Sequence, residues 1–373
     1  MSLEQIGFYT LSDQRAANAS STSDLQRCEL ILTGACNFKC PYCRKVGEHL
    51  TWKQAADTVV MWAEQGLRNI RFSGGEPTLW PHLAELVVLA RELGIERIAV
   101  STNGSASKAR YDLLIDSGVN DFSVSLDACC AEDGDKMAGG VKGSWDVVVS
   151  NIAYLAAKTY VTVGVVLTPD NASSINDIIA FADSLGVADI RVIPAAQVSA
   201  TLDGLGIEQR FLDKYKILAY RVKNIEGGRN VRGLCAGDAN RCGLVLDDMA
   251  IMGTSHYPCI IYMREGGLPI GEVGPKMRQQ REDWFRTWNT HADPICSTNC
   301  LDVCTDYNNT FRGLNHAGVR QQPVRLVGMA QGVTTRRIQS SVPNLCNTGK
   351  PLDAAPIRSG LVSIGTTTMS AQA

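Results

Sequence analysis

The stretch that decides the fold is TGACNFKCPYCRK, residues 33–45, which follows an apolar run and places three cysteines within eight positions. Cys36, Cys40 and Cys43 are spaced by four and then three residues. Pro41 disfavours a helical conformation of the residue before it, so we predict a loop that wraps three thiols around one centre. A [4Fe–4S] cluster usually takes four cysteines, and a set of three leaves one iron open to another ligand. A zinc site built on Cys40 and Cys43 with remote ligands, or simply buried thiols, is the alternative interpretation.

The composition narrows the class of protein. Among 373 residues, 45% are hydrophobic and 20% are charged, as in a soluble globular protein. No run approaches the roughly 20 apolar residues of a membrane span, and no export signal is visible at the N-terminus, so we expect a cytoplasmic protein without a membrane partner. Thirteen cysteines in such a compartment indicate metal or redox chemistry rather than disulfides.

Short β-branched runs alternate with amphipathic helical segments along the first half of the chain. Parallel strands joined by helices build a curled parallel sheet with right-handed crossovers. We therefore predict an α/β fold, a partial (β/α)6 TIM-like barrel with a smaller cysteine-rich C-terminal domain. The predicted strands are residues 27–33, 69–73, 97–101, 121–126, 161–167 and 189–193.

The βα rhythm stops after the sixth strand, which suggests a division of the chain. We predict the barrel over residues 1–205, a helical linker over 206–232, the cysteine-rich domain over 233–310, and a basic, partly irregular tail over 311–373. The tail is predicted either to be solvated or to contact a polyanion such as nucleic acid.

Active sites of barrels lie at the carboxyl ends of the strands, and the distinctive loops of this sequence all fall there. The second strand ends in SGGEP, residues 73–77. Gly74 and Gly75 allow a ligand to approach the backbone closely, and Glu76 supplies a carboxylate that matches an ammonium group. A tight turn after a strand is the simpler interpretation.

The third strand ends in STNG, residues 101–104, where Ser101 and Asn103 offer a hydroxyl and an amide within reach of a ribose diol. An Asn-Gly turn is the alternative.

These motifs resemble those of the radical S-adenosylmethionine (SAM) enzymes over residues 28–195. CNFKCPYC resembles their C-x3-C-x-Φ-C loop, with Tyr42 at the aromatic position, and SGGEP resembles their motif for the methionine end of SAM. The resemblance implies that Cys36, Cys40 and Cys43 hold a [4Fe–4S] cluster whose fourth iron is chelated by SAM. It implies an external one-electron reductant of the flavodoxin or ferredoxin type. Cleavage of SAM then gives methionine and a 5′-deoxyadenosyl radical that abstracts hydrogen from the substrate.

The loop after the fourth strand, SLDA, differs from the usual SLDG of that family. Ser125 in this loop resembles a family serine near the SAM carboxylate, although an inward serine on a barrel strand is also common. Cys129 and Cys130 follow on the same face. Family members that invert a peptide stereocentre use a thiol there as hydrogen donor, so both cysteines are candidates, with two ordinary loop residues as the alternative.

The second half of the chain has its own cysteine pattern, which resembles the twitch or SPASM extensions of radical SAM enzymes. In such an extension, a hairpin carrying a glycine, here at Gly253, precedes a cysteine cluster. The resemblance implies at least one auxiliary [4Fe–4S] cluster, and one cluster, two clusters or a zinc site all remain open. His256, close to Cys259, is a further candidate ligand, but we expect it to be a surface residue. The candidate ligands are Cys235, Cys242, Cys259, Cys296, Cys300 and Cys304.

Three function classes follow. The first is a radical SAM enzyme acting on a peptidyl or amino-acid-derived substrate with an auxiliary cluster assisting. The second uses the same chemistry to hypermodify a nucleic-acid base or its attached amino-acid group, which the basic tail and the short segment before the first strand favour. The third is a non-enzymatic zinc-binding protein.

Overall fold

The computed structural model describes residues 15–44, 47–197 and 205–315 of the chain. Most of the predicted basic tail, with Cys346, lies outside these residues, and its first residues belong to the last helix. The strands are β1 (Arg27–Thr33), β2 (Asn69–Gly74), β3 (Arg97–Thr102), β4 (Asp121–Ser125), β5 (Tyr160–Leu167), β6 (Asp189–Pro194), β7 (Asp248–Met252), β8 (Ser255–Tyr257) and β9 (Gly271–Glu272).

The helices alternate with the strands in the first half and dominate the second. Among the residues that the structure describes, none of them combines the length and apolar character needed to cross a membrane. They are α1 (Arg15–Asn18), α2 (Trp52–Ala63), α3 (Leu83–Glu92), α4 (Lys108–Ser117), α5 (Ala131–Met137), α6 (Ser144–Ala156), α7 (Ile175–Ser184), α8 (Gln209–Lys214), α9 (Lys216–Glu226), α10 (Ile260–Arg264), α11 (Met277–Thr287), α12 (Pro294–Asn299) and α13 (Asp302–Asn315).

The first six strands form one parallel sheet in the order β6-β5-β4-β3-β2-β1. Each predicted strand agrees with the structure to within one residue at either end. The predicted partial (β/α)6 barrel is therefore confirmed. The agreement has a physical reason, since strands that are covered by helices read as continuous apolar runs.

Local capping explains where the helices begin. Thr51 accepts a hydrogen bond from the backbone N–H of Gln54 at 3.3 Å, and the Gln54 side chain accepts from the Thr51 N–H at 2.9 Å. This reciprocal capping box starts α2 directly after the cysteine loop. It thereby limits the length of chain that is free to carry the three thiols.

The amino ends of the strands carry a buried network of charged side chains. The Asp121 carboxylate lies 3.7 Å from the Arg71 guanidinium and 3.5 Å from that of Arg97. Burial lowers the pKa of Arg97, and the charge of Asp121 opposes that shift. Because a buried charge without its partner is costly, these residues constrain the sheet at the end opposite the predicted site.

The accessory region, residues 233–315, continues the same sheet. Strand β7 pairs in parallel with β1, and β8 and β9 follow antiparallel, so that β1 lies between β2 and β7 in a sheet to which the described residues contribute nine strands. Gly253 forms the predicted hairpin turn between β7 and β8 with φ of +59°, which favours glycine. The proposed domain boundaries stay a prediction, but the two parts share one hydrogen-bonded sheet.

A second apolar core lies inside the accessory region, where Leu244 and Val245 pack with Tyr307 and Phe311 of α13. Ala16 of α1 completes this cluster. Helix α1 therefore packs against the accessory region.

Arg281 of α11 organises the accessory strands from the inside. It is 1% exposed and donates to the carbonyl oxygens of Val245 at 2.7 Å and Tyr257 at 2.9 Å, and also to those of Asp248 and Pro258. One guanidinium thus joins the turn before β7 with β7, β8 and the residue that follows β8.

The expectation that His256 is a surface residue was wrong. His256 is fully buried, because its place on β8 turns the ring toward α11. Its Nδ1 atom lies 3.2 Å from Arg281 Nη1, and its Nε2 atom lies 3.1 Å from Gln280 Oε1. Arginine can only donate, so Nδ1 accepts and Nε2 carries the proton. Burial, reinforced by the charge of Arg281, lowers the pKa of His256 to about 4.

We predict that Arg281→Met destabilises the protein by at least about 3 kcal/mol, because several buried carbonyl oxygens would lose their donor at about 1–3 kcal/mol each. Arg286→Met is the matched control on the same helix, since Arg286 is exposed and pairs with Glu282. Denaturant unfolding curves of the two variants measure the difference. Equal midpoints for both variants would contradict the structural role of Arg281.

Candidate active site

The cysteine loop between β1 and α2 carries three free thiols, with Cys36 and Cys43 exposed and Cys40 half-buried. Burial raises the pKa of Cys40 to about 12, and the charges of Asp127, Cys43 and Cys36 add to that shift. Cys36 and Cys43 therefore lie close enough for their charges to act on Cys40. Among the described residues, no three His, Cys, Asp or Glu side chains converge on one point as ligands of a single ion.

The glycine-rich loop after β2 lies directly against the cysteine loop. The Gly75 N–H donates to the Thr33 carbonyl and the Glu76 N–H donates to the Ala35 carbonyl, each at 2.7 Å. A Cβ atom on Gly75 would overlap the Ala35 carbonyl oxygen. Gly75 must therefore lack a side chain for the two loops to make this contact, whether or not a ligand also approaches it.

Glu76 is completely buried, and the protein itself occupies its carboxylate. Oε1 accepts from the backbone N–H of Thr78 at 3.1 Å, from its hydroxyl at 2.6 Å, and from the Thr102 hydroxyl at 2.8 Å. Oε2 accepts from the Asn103 N–H at 2.7 Å. Burial raises the pKa of Glu76, and these hydrogen bonds oppose the shift. The carboxylate joins the loops after β2 and β3, and its contact with an ammonium group stays a prediction.

The loop after β3 reaches the cysteine loop through Asn103. Its amide nitrogen donates to Asn37 Oδ1 at 2.8 Å and lies 3.8 Å from Cys36 Sγ. The other predicted residue of this strand end, Ser101, accepts from Arg71 at 3.3 Å. Asn103 therefore lies beside the thiols, whereas Ser101 extends the polar network of the sheet.

Tyr42 connects the cysteine loop to the end of β4. Its hydroxyl donates to the carboxylate of Asp127, whose other oxygen accepts from the Val166 N–H at 2.6 Å. Burial raises the pKa of Asp127 to about 6, against the opposing effect of the Tyr42 hydrogen bond. The sequence analysis did not select Asp127, although an acidic residue at a strand end was a usable signal.

The remaining candidates of the first half lie near the β4 end with fewer contacts. Ser125 is exposed, and its backbone pairs in register with Gly164. Cys129 packs against the main apolar core, and Cys130 is exposed and donates to Asp133 Oδ2 at 3.3 Å. Hydrogen donation by Cys129 or Cys130 stays a prediction.

The accessory region carries a group of five free, half-buried thiols. Burial raises the pKa of each, and the charges of neighbouring thiols raise several of them further, to about 12 for Cys259. The charges of Cys242 and Cys259 act on Cys296, Cys300 and Cys304 alike, which indicates that these thiols lie near one another. Cys235 is disulfide-bonded in the structure, and its role as a ligand stays a prediction. The five free thiols of the group are Cys242, Cys259, Cys296, Cys300 and Cys304.

Comparison with known proteins identifies the class that the barrel and its loops define. Residues 30–182 match the family model of the radical SAM superfamily. The chain therefore carries a radical SAM domain, which includes all three cysteines of the loop and the glycine-rich motif.

Particular relatives cover parts of the chain. A protein named probable GTP 3',8-cyclase from Sulfolobus acidocaldarius is 30% identical over 190 residues, which are 50% of this chain and 59% of that protein. GTP 3',8-cyclase of Chlorobaculum tepidum is 35% identical over 104 residues, 26% of this chain and 32% of that protein. The chain thus spans about a third to three fifths of these two relatives.

Solved structures share the fold at low identity. Streptococcus suis SuiB bound to the precursor peptide SuiA gives a TM-score of 0.52 at 16% identity, with 76% of this chain and 67% of that chain covered. The protein anSMEcpe with bound AdoMet gives 0.51 at 13% identity, with 78% and 96% covered. These likenesses support the partial barrel and carry no information on substrate.

We predict that Gly75→Ala loses at least half of the iron bound by the reconstituted protein, because the new methyl group displaces the cysteine loop at Ala35. Gly47→Ala is the matched control, since a Cβ at Gly47 in the same loop meets no atom within 4 Å. Iron and sulfide analysis after anaerobic reconstitution measures the effect. Full iron content in Gly75→Ala would show that the loops tolerate separation.

Proposed function

We propose that this chain is a radical SAM enzyme that reductively cleaves SAM and abstracts hydrogen from a substrate, with an accessory iron–sulfur cluster assisting. The observation that carries the proposal is the backbone contact between the three-thiol loop and the glycine-rich loop. It brings the candidate cluster ligands and the candidate SAM residues to one edge of the sheet.

The donor set of the cysteine loop fits an iron–sulfur cluster. Its three free thiols are soft donors of the type that such clusters select, and none of them forms a disulfide. Cys36, Cys40 and Cys43 would hold a [4Fe–4S] cluster, which together with SAM supplies the one-electron chemistry. The chain contributes the geometry around it: Asn103 lies beside Cys36, and Tyr42 is held by Asp127.

The surrounding loops would bind SAM. Glu76 acts indirectly, because its buried carboxylate holds the backbone of Asn103 and Thr78 in place. Gly74, Gly75, Ser101 and Ser125 complete the predicted set. An external reductant of the flavodoxin or ferredoxin type supplies the electron.

The accessory thiols would hold at least one further [4Fe–4S] cluster. Five free thiols in one region are soft donors of the type that iron–sulfur clusters select. A cluster would account for so many free thiols in this part of the chain. Cys235 would be a sixth ligand once its disulfide is reduced.

We propose a peptidyl or amino-acid-derived substrate. A nucleotide is the second candidate, because the relatives from S. acidocaldarius and C. tepidum are named GTP 3',8-cyclases. Modification of a nucleic-acid base remains a variant of the second candidate.

We predict that the variant Cys36→Ala/Cys40→Ala/Cys43→Ala keeps roughly four irons per chain on the accessory thiols and no longer cleaves SAM. The wild-type chain should bind about twice that amount of iron and form 5′-deoxyadenosine with dithionite as reductant. Iron analysis and chromatography of the products measure both effects. Cys129→Ala/Cys130→Ala is the control for general thiol loss and should retain full iron.

Complete loss of iron from the folded triple variant would remove the accessory cluster from the proposal. An iron-loaded wild type that leaves SAM intact would overturn the proposed activity. Addition of GTP, with guanosine as the control, separates the substrate candidates, because a nucleotide substrate should accelerate SAM consumption only in its phosphorylated form.

A further inference from the structure

The short helix α10 joins the accessory thiols to the barrel loops. It begins after Cys259, whose Sγ accepts a hydrogen bond from the Tyr262 N–H at 3.4 Å, and it ends at Arg264. Arg264 and Glu265 thus lie only five and six residues beyond a thiol of the accessory group. Movement of Cys259 would be passed to both residues through one turn of helix.

On the accessory side, α10 is attached at a second point. The Tyr262 hydroxyl donates to Asp293 Oδ2 at 3.0 Å. Asp293 Oδ1 accepts from the backbone N–H groups of Ile295 at 2.9 Å and Cys296 at 2.7 Å, where α12 begins. The helix is therefore fixed to the segments of two accessory thiols, Cys259 and Cys296.

On the barrel side, the end of α10 contacts both loops of the candidate active site. Arg264 Nη2 donates to the Ser73 hydroxyl at 3.3 Å and to the Gly74 carbonyl at 3.4 Å. Glu265 pairs with Arg44 at 2.9 Å, and Arg44 directly follows Cys43. One contact thus holds the glycine-rich loop, and the other holds the cysteine loop.

The exposure of these groups indicates what the contacts do. The Arg44 side chain is 36% exposed and that of Glu265 is 14% exposed. The pair is shielded from water on the Glu265 side, and it joins segments 221 residues apart in the chain, so it is suited to fix loop geometry. Arg264 is also partly exposed, and it holds the motif through a backbone carbonyl and one hydroxyl.

We propose that Arg264 and Glu265 are positioning residues through which the accessory thiols control SAM binding at the barrel. This inference rests on the proposed function, because it requires that the glycine-rich loop binds SAM. When the accessory thiols hold their metal, α10 is fixed and its two terminal contacts keep both loops in the binding geometry. Loss of a ligand at Cys259 releases α10 and weakens SAM binding at a site to which Cys259 does not belong.

The test is the equilibrium dissociation constant of SAM, measured anaerobically on reconstituted protein. Arg264→Gln, Glu265→Gln and Arg44→Gln should each weaken SAM binding about 2- to 30-fold, with iron content and unfolding midpoint unchanged. The double variant Arg44→Gln/Glu265→Gln should bind SAM with about the same affinity as whichever single variant binds it more weakly. The exchanged pair Arg44→Glu/Glu265→Arg should recover most of the affinity.

Coupling to the accessory thiols has its own prediction. Cys259→Ala should weaken SAM binding. In the Cys259→Ala background, Arg264→Gln should then weaken SAM binding by less than half as much as it does in the wild-type chain. Arg286→Gln, which removes an exposed ion pair elsewhere in the accessory region, is the control and should leave SAM affinity unchanged.

Unchanged SAM affinity in Arg264→Gln and Glu265→Gln would overturn the inference. The same holds if Arg264→Gln weakens SAM binding equally in the wild-type chain and in Cys259→Ala. Weaker binding accompanied by equal loss of iron or of the unfolding midpoint would also overturn it, because a structural role would then suffice. A wild-type chain that does not bind SAM would instead refute the proposed function itself.

Discussion

The contact between the loops after β1 and β2 is the constraint on which the candidate site depends. Two backbone hydrogen bonds of 2.7 Å, from Gly75 and Glu76 to Thr33 and Ala35, bring these loops closer than any residue with a side chain at Gly75 would allow. The parallel pairing of the two strands brings the loops to the same edge, and the glycine lets them touch. The three thiols thereby lie beside the glycine-rich motif.

From that contact, polar side chains extend the arrangement around the sheet edge. The buried carboxylate of Glu76 ties in the loop after β3, and the carboxylate of Asp127 ties in Tyr42 from the end of β4. Both acids are buried, and burial raises the pKa of each. Buried carboxylates are stable only with such donors, so each one fixes the loops that supply them.

The accessory region depends on the same strand. Strand β7 of the accessory region pairs in parallel with β1, the strand that directly precedes the cysteine loop. Arg281 holds the turn before β7, β7 itself and β8 together, and α10 returns from Cys259 to the barrel loops. The two groups of thiols therefore lie in segments that flank one sheet, and a helix of five residues links them.

The sequence by itself determined the strand positions, the parallel barrel and the loops that carry the chemistry, because alternating apolar runs, glycines and cysteine spacing are local signals. It also located the hairpin at Gly253. The tertiary structure alone decided what the polar side chains do. Glu76 reads as a ligand residue, and only the fold shows that its carboxylate also accepts from Thr78, Thr102 and Asn103. His256 reads as a surface residue, yet β8 buries it against α11. The contacts of Asp127, Arg264 and Glu265 were equally hidden, since each joins residues that are 39 to 221 positions apart in the chain. Hydrogen-bond partners at such separations depend on how strands and helices pack, and no local pattern encodes them.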